Sequence, residues 1–175
     1  VMVGAWEREK YVGCILFARG ANMNIGSAYG LQSTEAAELV RVALRDHETQ
    51  VSRIMSIAVK FLRKNSPGLR LIVSFADPAE GHHGGIYTGS SSPTKMYFHE
   101  GRWKHSREML GGAFGQTSKS KAVAAKVPTK ICKGKHRYLF PLDEAMRKQI
   151  APLSKPYPKK SVQIGVDPSS PTGEQ

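Results

Sequence analysis

Three polar groupings in this 175-residue chain combine residue types and spacings that chemistry can use. The first is Asp77, followed at short range by His82, His83 and Tyr87 in a run that also holds Pro78, Gly81, Gly84 and Gly85. A carboxylate near imidazoles and a phenol can orient or deprotonate an amine, with Tyr87 as an acid, a stacking surface or a core filler. The plainer reading makes Asp77 the start of a turn. Asp77 with His82 and His83 also has the ligand types of a two-histidine, one-carboxylate iron site, although adjacent histidines in extended backbone point to opposite sides. The second grouping is Arg41 between Val40 and Val42. A guanidinium in an apolar run calls for an anion, either a phosphate or substrate, or a structural partner such as Glu38 or Asp77. The third is Arg45, Asp46, His47, Ser52 and Arg53, at a point where a helix should begin. Helix amides there can bind anions, and Ser52 can serve a phosphate, the loop or the cap. There is no Walker motif and no G-x-G-x-x-G run, so a phosphate would rest on those amides with Arg45, Arg53 and Ser52.

The elements that must position these groups follow from periodicity. Residues 38–44 read as a strand with Arg41 interrupting it, 51–64 as a helix, and 69–75 as a second buried strand. Val51, Ile54, Met55, Ala58, Phe61 and Leu62 recur at helical spacing and predict its buried face. Pro67 stops the helix and Gly68 offers a left-handed exit. Two apolar strands joined through an amphipathic helix imply a parallel β-α-β crossover, with residues 45–50 and 77–87 at the carboxyl ends, where ligands collect. Ahead of this unit, residues 1–6 and 11–18 predict a β-hairpin, its second strand apolar enough for burial on both faces. Residues 19–30 form a Gly- and Asn-rich loop, and residues 33–37 a short helical turn.

Beyond Tyr87 the pattern changes. Residues 96–99 and 102–105 predict a hairpin, 106–115 the start of a short helix, 116–135 an exposed loop, 136–142 a returning strand, and 143–150 a helix with Asp143 as N-cap. Residues 95–160 hold 16 Lys and Arg against 4 Asp and Glu, a balance of +12, whereas residues 1–94 are nearly neutral at +2. Such a segment attracts a polyanion by releasing counterions. Arg102, Trp103, Lys104, Lys133, Lys135 and Arg137 are the candidate nucleic-acid contacts, joining cations to stacking surfaces. The organisation expected is one domain over 1–150, with 95–150 its basic, DNA-facing part, and a flexible Pro-, Lys- and Ser-rich tail over 151–175. Apolar runs are far too short for a membrane span. Cys14 in a strand and Cys132 in a basic loop suit a reducing interior and no disulfide framework. The first residues lack a signal-peptide pattern, and their abrupt start predicts further sequence upstream.

The runs Glu38-Leu39-Val40-Arg41-Val42-Ala43-Leu44, Ser74-Phe75-Ala76-Asp77-Pro78 and Gly81-His82-His83-Gly84-Gly85-Ile86-Tyr87 resemble the Mom family of bacteriophages and prophages, with likeness from Val1 to about Tyr157. The resemblance implies an α/β (α+β) fold: a GNAT-like (acetyltransferase-like) mixed central sheet flanked by helices, here with a basic hairpin and loop extension. It implies a DNA-modifying transferase that places a carbamoylmethyl-like group on the exocyclic amine of adenine and shields phage DNA from host restriction. Double-stranded DNA would be the partner, in the cytoplasm of a bacterial host, with a homodimer left open. Acetyl-CoA or a related donor and iron are the cofactors implied, with Arg41, Ser52, Asp77 and Tyr87 at the matching functional positions. Asp77 and Tyr87 would then be catalytic, Arg41, Arg45, Ser52 and Arg53 would hold the donor, and His82 and His83 would be the metal candidates. Three departures bear on this. Residues 45–50 lack the glycine-rich acetyltransferase signature, the family's segment before Val1 is absent, and its longer stretch between Tyr87 and Thr88 is missing; the last two losses would impair activity. A catalytically silent DNA-binding member and an acetyl-CoA-dependent acetyltransferase are the alternatives.

Overall fold

The computed structural model describes residues 1–19, 24–82, 84–88, 97–99, 106–109, 129–132 and 135–157. Strand β1 (Met2–Glu7) and strand β2 (Lys10–Ala18) pair antiparallel as the predicted hairpin. Arg8 and Glu9 alone make the turn, both at positive φ (46° and 67°). That mirror-image turn matches the right-handed twist of the strands it joins. Strand β3 (Ala36–Leu44) pairs antiparallel with β2, helix α1 (Val51–Asn65) crosses over, and strand β4 (Leu71–Ala76) returns parallel to β3. The predicted β-α-β unit is therefore present. A four-residue helix α2 (Gly85–Thr88) follows, then strands β5 (Tyr97–His99), β6 (Ser106–Met109), β7 (Thr129–Cys132) and β8 (His136–Pro141), and helix α3 (Glu144–Ile150). Among the described residues, six strands form one mixed sheet in the order β1-β2-β3-β4-β8-β5, and β6 and β7 form a separate pair. The mixed α+β class expected from the sequence is the one observed.

Two apolar clusters sandwich the sheet. On one face Ile15, Phe17, Leu39, Ile72 and Tyr138 pack against Met55, Ala58, Val59 and Leu62 of α1. On the other, Leu71, Val73 and Leu139 pack against Tyr29, Met146 and Ile150. Helix α3 is fixed at its start as predicted, because the Asp143 carboxylate accepts the Met146 amide at 2.7 Å and also receives Arg70 at 2.8 Å.

One detail of the sheet positions everything polar. Strands β3 and β4 pair only from Ala36–Leu71 to Leu39–Ser74. On the other side of β3, Phe17 stands opposite Leu39 while Leu16 stands opposite Arg41, so Val40 is an extra residue against β2. Such a bulge bends its strand and raises the local twist. The two parallel strands thus part toward their carboxyl ends from Val40 onward.

This parting corrects the expectation for Arg41. It does lie on an interior strand, β3, but its side chain is exposed, past the point where β4 pairs with β3, and neither Glu38 nor Asp77 forms an ion pair with it. On α1 the core position assigned to Phe61 belongs to Val59, and Phe61 is 50% exposed beside Ile57. The helix ends at Ser66 with φ −142°, so Pro67 stops it without the left-handed exit expected at Gly68. Strand β2 is buried on one side only, through Val12, Ile15 and Phe17, with Tyr11 exposed. Residues 106–109 are a strand where a helix start was expected, and 129–132 a strand, ending at Cys132, inside the expected loop. Strand β5 pairs with β8; residues 102–105, its expected hairpin partner, lie outside the described residues. Of the expected tail, residues 151–153 continue as a 3-10 turn, and Tyr157 packs against the α1-side core.

Candidate functional site

The site grows from the carboxyl end of β4. Facing positions on β4 and β8 share a sheet face, so Phe75 goes with Arg137 and Ala76 with His136. Continuing that register by one residue brings Asp77 opposite Lys135. The lysine ammonium lies 3.1 Å from Asp77 Oδ2, with the aspartate side chain 20% and the lysine 48% exposed. The Asp77 carbonyl accepts the Glu80 and His82 amides at 3.1 and 3.0 Å, so the residue also opens the turn that its plainer reading proposed. Glu38, one position before Leu39 on β3, lies on the same face as Val73 and hence as Phe75. Burial pushes its carboxyl above the usual range, and the Lys135 charge pulls it partly back.

Tyr87 sits on the opposite face, against α1. The Ser74 hydroxyl donates to the Leu39 carbonyl at 3.0 Å. With its one proton so used, Ser74 Oγ must accept the bond it shares with the Tyr87 hydroxyl at 2.7 Å. The Tyr87 ring is only 7% exposed and lies 4.8 Å, centroid to centroid, from Tyr138. Burial pushes both phenols up, Tyr138 to about 12, so each stays protonated near neutral pH. Helix α2 starts here, directly after Gly84. Gly84 allows it: its φ is +67°, and a Cβ at that position would run into the Tyr138 ring.

The structure therefore does not gather the predicted catalytic pair on one face. Asp77 stands with Lys135 and Glu38, Tyr87 with Ser74 and Tyr138. Lys135 and Arg137, assigned to DNA from the sequence, both have protein partners: the Arg137 guanidinium donates to the Tyr29 hydroxyl at 3.1 Å and lies 5.9 Å from the centre of the Phe75 ring. Arg102, Trp103, Lys104 and Lys133 lie outside the described residues, as does His83. The His82 side chain is exposed, and among the described residues no three His, Cys, Asp or Glu side chains group to hold a metal ion. Glu38 was weighed in the sequence only as a partner for Arg41; its lone acidic position in an apolar strand was the signal for more. Lys135 had no such signal, because only the β4–β8 register brings it to Asp77.

At the end of β3 the other polar loop is held from below. Glu7 accepts the Glu48 and Thr49 amides, each at 2.8 Å, which lowers its carboxyl from 4.5 to about 2. Arg8 bonds Glu48 at 2.9 Å, and His47 Nδ1 donates to the Thr49 carbonyl at 2.8 Å. Gln50 caps α1 without a side-chain bond, its carbonyl taking the Arg53 and Ile54 amides at 2.9 and 3.2 Å. Ser52 is thus not the cap; it is half-buried in the first turn, with Arg53 and Arg45 exposed beside it. A hollow of about 240 Å³, lined by residues including Tyr11, Gly13, Leu44 and Arg45, opens on this side. Because the folded-state acidity of Glu7 is increased, its contribution is complete above about pH 4.5 and lost as pH falls through about 2. Glu7→Ala should abolish hydrogen-exchange protection at the Glu48 and Thr49 amides at neutral pH, as acid does in the wild type. Unchanged protection would show that the loop holds itself.

Fold and site together define a mixed α+β protein whose polar groups gather where two parallel strands separate. The chain belongs to the Mom protein family, which it matches over residues 1–159. It is 28% identical over 177 residues to the methylcarbamoylase Mom of Escherichia phage Mu, an alignment covering 90% of this chain and 71% of that protein.

Proposed function

We propose that this chain is a phage DNA-modifying enzyme, a transferase that places a carbamoylmethyl-type group on the exocyclic amine of adenine and so protects DNA from host restriction. The observation that carries the reading is Asp77: a largely buried carboxylate, held by Lys135 at a strand end where the sheet opens, in a chain of the Mom family. The name of the phage Mu relative, a methylcarbamoylase, supports the group transferred. The +12 balance of residues 95–160 supports DNA as the substrate. An adenine amine inside a duplex is out of reach, so the base must leave the stack. Asp77 would then accept the amine's hydrogen bond and take its proton as nitrogen bonds to the transferred carbon and the donor's leaving group departs from that carbon with the bonding electron pair. Tyr87, enclosed by Ser74 and Tyr138, supports the wall on the α1 side.

The parting of β3 from β4, with α1 starting beside it, supports the GNAT-like reading and fits an acyl-CoA-type donor in part. From Val40 to Leu44 the β4-facing edge of β3 has no β4 partner and can pair with an amide-bearing arm. Arg41, Arg45, Ser52 and Arg53, with the first amides of α1, would take phosphates. An acyl-CoA-type donor alone would deliver an acyl group, so a carbamoylmethyl product also needs a source of the amide nitrogen and attachment through the methylene carbon; the chain's own residues would orient donor and amine. Among the described residues no ligand set for iron gathers at Asp77, whose carboxylate already holds an ammonium.

DNA from cells expressing the protein, digested to nucleosides, should yield a heavier deoxyadenosine by mass spectrometry. Unmodified DNA in the presence of abundant soluble protein would sink the proposal. A catalytically silent, DNA-binding role is the second reading, favoured by the enclosure of Tyr87; binding without modification would establish it.

A further inference from the structure

The lysines of a basic protein invite a common assignment to phosphates, and Lys135 stands within its most basic stretch. Its surroundings say otherwise. The ammonium lies 3.1 Å from Asp77 Oδ2, and its charge also acts on Glu38, a half-buried carboxyl on the neighbouring strand. Both carboxylates are on the sheet face that carries Phe75 and Arg137, one on each of the two strands that separate. Other charged and titratable groups stand on or beside this face: Arg41 from β3 and Arg137 from β8, with Glu80 and His82 in the turn after β4, whereas His136, opposite Ala76, is on the other face.

We propose that Lys135 is a positioning residue of the modification site and not a DNA phosphate contact, its ammonium fixing the Asp77 carboxylate at the mouth between β3 and β4. This rests on the function proposed above. A fixed carboxylate matters because a base displaced by about 1 Å can lose on the order of 100-fold in rate. Glu38, on β3, is a second carboxyl on which the charge of the same ammonium acts.

Lys135→Gln and Lys135→Arg separate the two roles. As a positioning residue, Lys135→Gln lowers kcat by about 10- to 100-fold, leaves the KM for DNA and the salt dependence of binding unchanged, and is largely rescued by Lys135→Arg. A phosphate contact gives the reverse pattern: kcat unchanged, weaker binding to all sequences, and a salt slope shallower by about one unit. That second pattern overturns the proposal. A readout independent of modification is the carbon-13 resonance of the side-chain carboxyls. Lys135→Gln should shift the Asp77 carboxyl, and Glu38 less, without moving carboxyls elsewhere. A wild type that never modifies DNA but shows this shift defeats the functional reading and leaves the contact standing; no shift at Asp77 defeats the positioning role itself.

Discussion

Asp77→Asn is expected to lower DNA modification by about 100- to 10,000-fold, the range of losses for a positioned general acid or base. Asparagine keeps the shape and size of the side chain but cannot take a proton. Its cost to the fold should be small. The carboxylate's ion pair with Lys135 involves a lysine half exposed to solvent, and such pairs contribute about 0–1 kcal/mol. The turn after β4 depends on the Asp77 carbonyl, which the substitution retains. Loss of modification should therefore occur at an unchanged melting temperature and unchanged DNA affinity. Activity that survives Asp77→Asn would move the base elsewhere, with Glu38 the next group to test, since it is half-buried and its carboxyl is already pushed up.

Gly84→Ala should destabilise the fold strongly. Two independent costs add. A φ of +67° is left-handed, which costs an alanine about 1–2 kcal/mol. The new methyl would also drive into the Tyr138 ring, which is fully buried between the two strands' side chains and cannot swing away. Overpacking of that kind costs about 1–3 kcal/mol. A drop of roughly 5–15 °C in melting temperature follows for a domain of this size. Gly81→Ala is the internal control: its φ of +70° is nearly the same, but nothing lies within 4 Å of its added methyl. The difference between the two variants in thermal unfolding isolates the steric part. Equal melting temperatures would mean that the α2 turn yields, and that Tyr138 does not hold Tyr87 and α2 in place.

Much of the architecture was legible in the residues because it depends on near neighbours. The hairpin at Arg8-Glu9, the helix over 51–65, the Pro67 stop and the Asp143 cap are set by period, turn chemistry and capping within a few positions. The parallel crossover followed from two apolar runs joined by that helix. Phe61 shows the limit: a helical wheel cannot say which edge of the apolar stripe the sheet covers, and β1 and β2 leave Ile57 and Phe61 outside. Strands β6 and β7 were missed because their sequences lack apolar alternation and pair only with one another.

For the site, the sequence alone determined the types of groups present, and through its motif runs the family: Asp77 at a strand end, Arg41 beside a future bulge, Glu38 in an apolar run, Ser52 and Arg53 at a helix start. What only the tertiary structure decided is which of them meet. Asp77 and Tyr87 are close along the chain, yet the alternation of β4 and the α2 turn put them on opposite faces. Lys135 is remote from Asp77 in sequence, and the antiparallel register of β8 sets it opposite. The parting of β3 from β4 depends on a single extra residue counted against β2. Register is a relation between strands, fixed by packing both faces of the sheet at once, and no local stretch of residues contains it.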